Sequence, residues 1–137
     1  MHATAYLFFD GTCAAALDFY KQAAGAVVGF AQTYGASPAC EQMPPEMHDK
    51  ILHASFRIGD TTLMASDCPP GQAAKFGGFG IAISVDSVAE CESLFAAMSA
   101  GGQVFMPLAS TFFAESFGQF VDKFGVSWMV ICEKKAP

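Results

Sequence analysis

The sequence predicts an α+β protein built from two βαβββ modules, their strands forming a mostly antiparallel sheet with the helices on its outer face. Three observations carry this. Identical residues recur 76 positions apart: Asp10 with Asp86, Phe19 with Phe95, Ala24 with Ala100, Gly25 with Gly101 and Val28 with Val104. Each copy passes from a short apolar strand through an Asp-containing turn into an amphipathic helix. Each helix is then followed by three strand-like segments. At 137 residues, 53% of them hydrophobic and 15% charged, the chain suits one domain with a real core and is too apolar for disorder. The expected domain covers 1–137, with module one at about 3–67 and module two at about 78–134.

The elements follow in order. The first strand is expected over Tyr6 to Phe9 and its counterpart over Phe79 to Val85. In the first helix Cys13, Ala16, Leu17, Tyr20 and Ala24 fall at helical spacing and form one apolar face. Thr12 is the expected N-cap and Gly25 the C-terminal stop. In the second helix Val88, Cys91, Phe95 and Met98 repeat that face. Ser87 followed by Glu90 fits a capping box, and Gly101 ends the helix. Strands "AVVGFAQTY", "KILHASFRI" and "TTLMASD" complete module one; "QVFMPL", "FGQFV" and "VSWMVICE" complete module two. Gly59 and Gly125, in the two hairpins, are only 66 positions apart. Module one therefore carries ten extra residues, within the loop "GASPACEQMPPEMHD". A loop this long is either a lid or partner-contacting segment, or a floppy insertion.

The hairpin around Gly59-Asp60 can be read pair by pair. Ile58 faces Thr61, Phe56 faces Leu63 and Ala54 faces Ala65, with Leu52 beyond. This apolar set belongs under the helix. Arg57 with Thr62, Ser55 with Met64, and His53 with Ser66 take the opposite, concave face, because strand side chains alternate. Tyr6 and Phe8 share one face of the first strand. On the fifth strand Gly80, Ala82 and Ser84 leave room beside Met129 and Ile131. Polar groups grouped on one sheet face admit three readings: a ligand pocket, a solvated surface or a dimer contact.

Composition excludes several roles. The seven Lys and Arg form no cluster in a chain of net charge -6, so nucleic acid is not an expected partner. No apolar stretch reaches membrane-spanning length, and "MHATAYLFFDG" lacks the basic start of a signal peptide. The five cysteines are scattered without a CxxC pair, which reads as reduced thiols in a cytoplasmic protein. Cys40 and Cys68 fall in loop-like sequence.

The motifs "YLFFDGTCAAALDFYKQAAGA", "HASFRIGDTTLMASD" and "GGQVFMPLASTFFAESFGQFVDKFGVSWMV" span nearly the whole chain. In them the sequence resembles the vicinal oxygen chelate superfamily of glyoxalase I, fosfomycin and bleomycin resistance proteins and extradiol dioxygenases. It is most similar to the PhnB-like branch, sometimes labelled 3-demethylubiquinone methyltransferase-like. The resemblance implies a cupped sheet, a homodimer and, in the catalytic members, a divalent metal held by His and Glu. The positions matching those ligands carry Gly80 and Met129. No ligand occurs at Ala3 to Ala5, and the fourth strand offers Thr62, Met64 and Ser66. Gly and Met do not replace imidazole and carboxylate. No Gly-rich strand-to-helix turn supports a methyltransferase's nucleotide cofactor.

The expected function is therefore small-molecule binding by a homodimer, without the standard metal site. The ligand-binding candidates are Tyr6, Phe8, His53, Ser55, Arg57, Met64, Ser66 and Met129. Glu115, expected in a loop, is the one weak candidate for a catalytic base. No cofactor is predicted. The alternative is a metal-dependent lyase, isomerase or dioxygenase-type enzyme acting on a small oxygenated metabolite. A displaced metal site would have to use Glu46, His48, Asp49 and His53.

Overall fold

The computed structural model describes residues 1–38, 40–69, 71, 72 and 75–135. The chain divides into two compact units, Met1–Ala74 and Lys75–Pro137.

The first unit runs β1 (Tyr6–Phe9), α1 (Cys13–Ala24), β2 (Val27–Thr33), β3 (Ile51–Ile58) and β4 (Thr61–Asp67). Its sheet has the order β1-β4-β3-β2, with β1 parallel to β4 and the other pairs antiparallel. The β3–β4 register is the one expected: Ile58 opposite Thr61, Phe56 opposite Leu63, Ala54 opposite Ala65. Gly59 opens that turn at φ 56°, a left-handed conformation suited to glycine in a two-residue hairpin. Cys13, Ala16, Leu17 and Tyr20 of α1 are buried, as are Leu7, Phe9, Ala54, Phe56, Leu63 and Ala65 of the sheet. The rings of Tyr20 and Phe56 stack 5.9 Å apart across this layer. Ile51, rather than Leu52, is the buried residue at the start of β3. A register shift on β2 between Gln32 and Thr33 sets Ile51 opposite Thr33.

Thr12 makes no side-chain cap on α1. The Asp67 carboxylate does that work from the far end of β4, accepting from the Cys13 backbone N–H at 2.9 Å. Gly25 ends the helix in the left-handed conformation expected of it.

The long loop between β2 and β3 is packed. Tyr34 and Gly35 donate backbone N–H groups to the carbonyls of Lys50 and His48, closing its base. It holds two short 3₁₀ turns, Cys40–Gln42 and Pro45–Met47, and buries Ser37 and Met47. The floppy-insertion alternative does not fit this internally bonded loop. Ala39, within it, lies outside the described residues.

The second unit runs β5 (Ile81–Val85), α2 (Val88–Ser99), β6 (Gln103–Ala109), β7 (Ala114–Val121) and β8 (Ser127–Glu133). The order β5-β8-β7-β6, with β5 parallel to β8, repeats the first unit's topology. The fifth strand begins at Ile81, two residues later than expected, and Phe79 is exposed. Ser87 caps α2, its Oγ accepting from the Glu90 N–H at 3.1 Å. Cys91, Phe95 and Met98 pack with Phe120, Trp128 and Val130, and Phe95 meets Phe120 edge-on at 5.1 Å. Buried Asp122 closes the β7–β8 turn by accepting from Phe124 N, Val126 N and Trp128 Nε1. Among the described residues no helix is long and apolar enough to cross a membrane.

Candidate functional site

Seven of the eight candidate ligand-binding residues lie on β1, β3 and β4, and alternation puts them on one face of the first sheet, opposite α1. Tyr6 pairs with Met64 and Phe8 with Ser66, while Ser55 pairs with Met64 and Arg57 with Thr62. The strongest local interaction is a 2.9 Å hydrogen bond between Tyr6 Oη and His53 Nδ1. The two rings stack at 5.6 Å, and Phe8 stacks on Tyr6 at 4.8 Å. His53 and Ser55 are half-buried, Arg57 is exposed and Ser66 is buried.

The sequence reading missed the contribution of β2. A register shift between Val28 and Phe30 sets Val27 opposite Arg57, Phe30 opposite Ser55 and Gln32 opposite His53. These three therefore join the same face. The signal was Gly29 inside a strand, a common mark of a bulge. Phe30 lies 6.0 Å from the His53 ring. Phe8 and Phe30 are 52% and 49% exposed, so two aromatic rings flank the Tyr6–His53 pair in open solvent.

Behind this face sits a structural network. Asp67, 1% exposed, also accepts from the Ile51 N–H at 2.9 Å, and its backbone carbonyl accepts from the Tyr34 hydroxyl at 2.7 Å. Burial pushes the Tyr34 phenol up, with Cys68, Asp67 and Tyr6 adding to the shift. Burial, then the Asp67 charge, pushes the Cys13 thiol up to about 12. Neither group is set up as a nucleophile.

Met129 belongs to the second unit, where it is half-buried on β8 between Ala82 and Gln119. Glu115 is on strand β7, not in a loop. The loop reading failed because "STFFAESF" gives no turn residue after Thr111 to mark where the strand begins. Glu115 is exposed, and its Oε2 accepts from the Cys132 thiol at 3.7 Å.

The residues at the metal-ligand positions of the vicinal oxygen chelate enzymes do not fit such a centre. Gly80 has no donor, and a Cβ there would already meet Met129 Cε and Ser127 Oγ at 3.4 Å. Met129 and Met64 offer thioethers and Thr62 and Ser66 hydroxyls, which is not a donor set for a hard or borderline divalent ion. His48 directs Nε2 to the carbonyls of Cys40 and Met43 at 2.8 and 3.1 Å. Among the described residues no three His, Cys, Asp or Glu side chains gather to hold a metal.

Two strand-helix-three-strand units, each a mixed four-stranded sheet with a helix on one face, define the fold of the glyoxalase, bleomycin resistance and dioxygenase superfamily. A crystal structure of a glyoxylase/bleomycin resistance protein/dioxygenase domain from Frankia sp. EAN1pec is similar at a TM-score of 0.70, over 100% of this chain and 94% of that one; at 13% identity this speaks to fold alone. The chain belongs to the 3-demethylubiquinone-9 3-methyltransferase family, whose model matches residues 1–131. Protein YjdN of Escherichia coli K12 is 32% identical over 145 aligned positions, covering 100% of this chain and 99% of its own. The crystal structure of protein PA1353 from Pseudomonas aeruginosa is 43% identical, with a TM-score of 0.88 over 98% of this chain and 99% of that chain.

Proposed function

We propose that this chain is a metal-independent small-molecule binding protein whose ligand rests on the open face of the first sheet. The observation that carries this is the Tyr6–His53 hydrogen bond set among exposed aromatic rings. Exposed Phe8 and Phe30 offer apolar area to a flat partner. Tyr6 and His53 hold each other in place and leave His53 Nε2 free to bond a ligand oxygen. Nothing in this arrangement calls for a methyl donor, whose nucleotide would need a Gly-rich turn that Asp10-Gly11-Thr12 does not provide. The protein works in the cytoplasm as a homodimer. The apolar edge strand β6 of the second unit, with exposed Val104, Phe105 and Met106, favours self-association.

The test uses methyl-labelled methionine, with Met64 as the reporter on the face and Met98, buried in the second unit, as the control. Adding 4-hydroxybenzamide at millimolar concentration is expected to shift Met64 and leave Met98 still. Tyr6→Phe, which frees His53 from its partner, is expected to weaken binding about threefold to tenfold, the cost of one hydrogen bond. A Met64 signal unmoved by this probe and by its carboxylate counterpart, 4-hydroxybenzoate, counts against the reading. So does stoichiometric metal in the purified protein that is lost in His53→Ala.

A further inference from the structure

Resting on that reading, we infer that the ligand class is a planar aromatic carboxylate, with its anionic end on Arg57 and its ring over Phe30. The first support is charge. The chain carries 13 Asp and Glu and has a net charge of -6. The four strands of the first sheet nevertheless contain one acidic residue, Asp67. That carboxylate faces the helix side, where Cys13 N and Ile51 N occupy it. Among the strand residues, the open face thus carries no anion in an acidic protein, and its one permanent charge is the Arg57 guanidinium.

The second support is availability. Arg57 is exposed, and among the described residues it has no hydrogen-bond or ion-pair partner. A guanidinium offers a planar fork of donors that matches a carboxylate with two parallel bonds. Its cross-strand neighbours are Val27 and Thr62, neither of which competes for it.

The third support is spacing. His53 and Arg57 lie four residues apart on β3 and point to the same face, roughly 13 Å apart along the strand. Ser55 lies between them with Phe30 directly opposite. The long Arg57 side chain can lean inward over that gap toward His53, which its bond to Tyr6 holds in place. A single ring carrying a carboxylate at one end and an oxygen at the other then meets Arg57, Phe30 and His53 Nε2 in sequence. A neutral ring loses the first of these, and an aliphatic acid loses the second.

The experiment measures dissociation constants for 4-hydroxybenzoate and its neutral isostere 4-hydroxybenzamide, by titration followed at the Met64 methyl. The native protein is expected to prefer the carboxylate about fivefold at low salt, the scale of an exposed charge pair. The preference is expected to shrink in 0.5 M NaCl, where screening shortens the reach of Arg57. Arg57→Gln should bind both probes equally, at the affinity the native protein shows for the amide. Arg57→Lys should keep part of the preference. Equal affinity of the native protein for both probes, or a preference that survives Arg57→Gln, overturns the inference while leaving binding on this face intact. Failure of both probes to move Met64 overturns the binding reading and the inference with it.

Discussion

Asp67 places both carboxylate oxygens on backbone N–H groups: Oδ1 on Cys13 and Oδ2 on Ile51, each at 2.9 Å. One side chain thereby caps α1, anchors the first residue of β3 and, through its own carbonyl, holds the Tyr34 hydroxyl at the base of the long loop. A carboxylate at a helix N-terminus is also favoured by the dipole. Asp67→Ala would leave two buried donors without partners, at about 1–3 kcal/mol each. The expected result is a loss of about 2–5 kcal/mol in urea unfolding. Asp67→Asn, which keeps one acceptor oxygen, should lose less than Asp67→Ala. Equal stability of Asp67→Ala and the native protein would show that these bonds hold nothing together. The sequence could not announce this role, because Asp67 lies 54 residues from the N–H it caps. Thr12, next to the helix, was the visible candidate, and a remote carboxylate displaced it.

At the scale of elements, the two units solve the same capping problem differently. Unit one uses Asp67 from the end of β4, whereas unit two uses Ser87 beside its own helix. The Ser87 cap was predicted, but the Glu90 carboxylate accepts from Ser87 Oγ at 3.4 Å and not from its backbone N–H as a full capping box would. Local devices were legible in the sequence and remote ones were not. The same division explains the candidate face. Alternation around the Gly59-Asp60 turn correctly set Ser55 and Arg57 against Met64 and Thr62. It did not reach β2, where the extra residue at Gly29 reverses the parity and turns Phe30 onto the face. In the second unit Gly118 of β7 lies directly against Phe95 of α2. A Cβ there would stand 2.6 Å from Phe95 Cε2 and 2.9 Å from Leu108 Cδ2. Gly118→Ala is therefore expected to cost about 1–3 kcal/mol through overpacking, despite the better strand propensity of alanine. Urea unfolding followed by Trp128 fluorescence checks this, because Trp128 is buried in the same unit. An unchanged midpoint would mean that the helix moves aside freely.

For the whole molecule, topology was more legible than assembly. The duplicated residues and their turns pointed to paired βαβββ units, and the superfamily's fold follows from that pairing. Whether a second copy binds depends instead on surfaces that no periodicity describes. On edge strand β6, Val104, Phe105 and Met106 are 43%, 62% and 45% exposed. Nearby in sequence, Phe112 is 92% and Phe113 44% exposed, their rings edge-on at 5.1 Å. An edge strand with apolar side chains on both its faces lacks the charges that usually keep such edges apart. Pro107, which has no N–H, and two register shifts break up the backbone edge of β6, so association would rest on covering those side chains. A net charge of -6 opposes the approach of two copies only weakly at physiological salt, where the Debye length is about 8 Å. The expected outcome in sedimentation equilibrium at micromolar concentration is a species of twice the 14.4 kDa chain mass. The double variant Phe105→Glu, Phe112→Glu should sediment as a single chain with an unchanged circular dichroism spectrum. A native protein already monomeric would remove the homodimer from the proposal. A double variant that stays dimeric would move the interface off β6, because two buried, unpaired carboxylates could not be accommodated there.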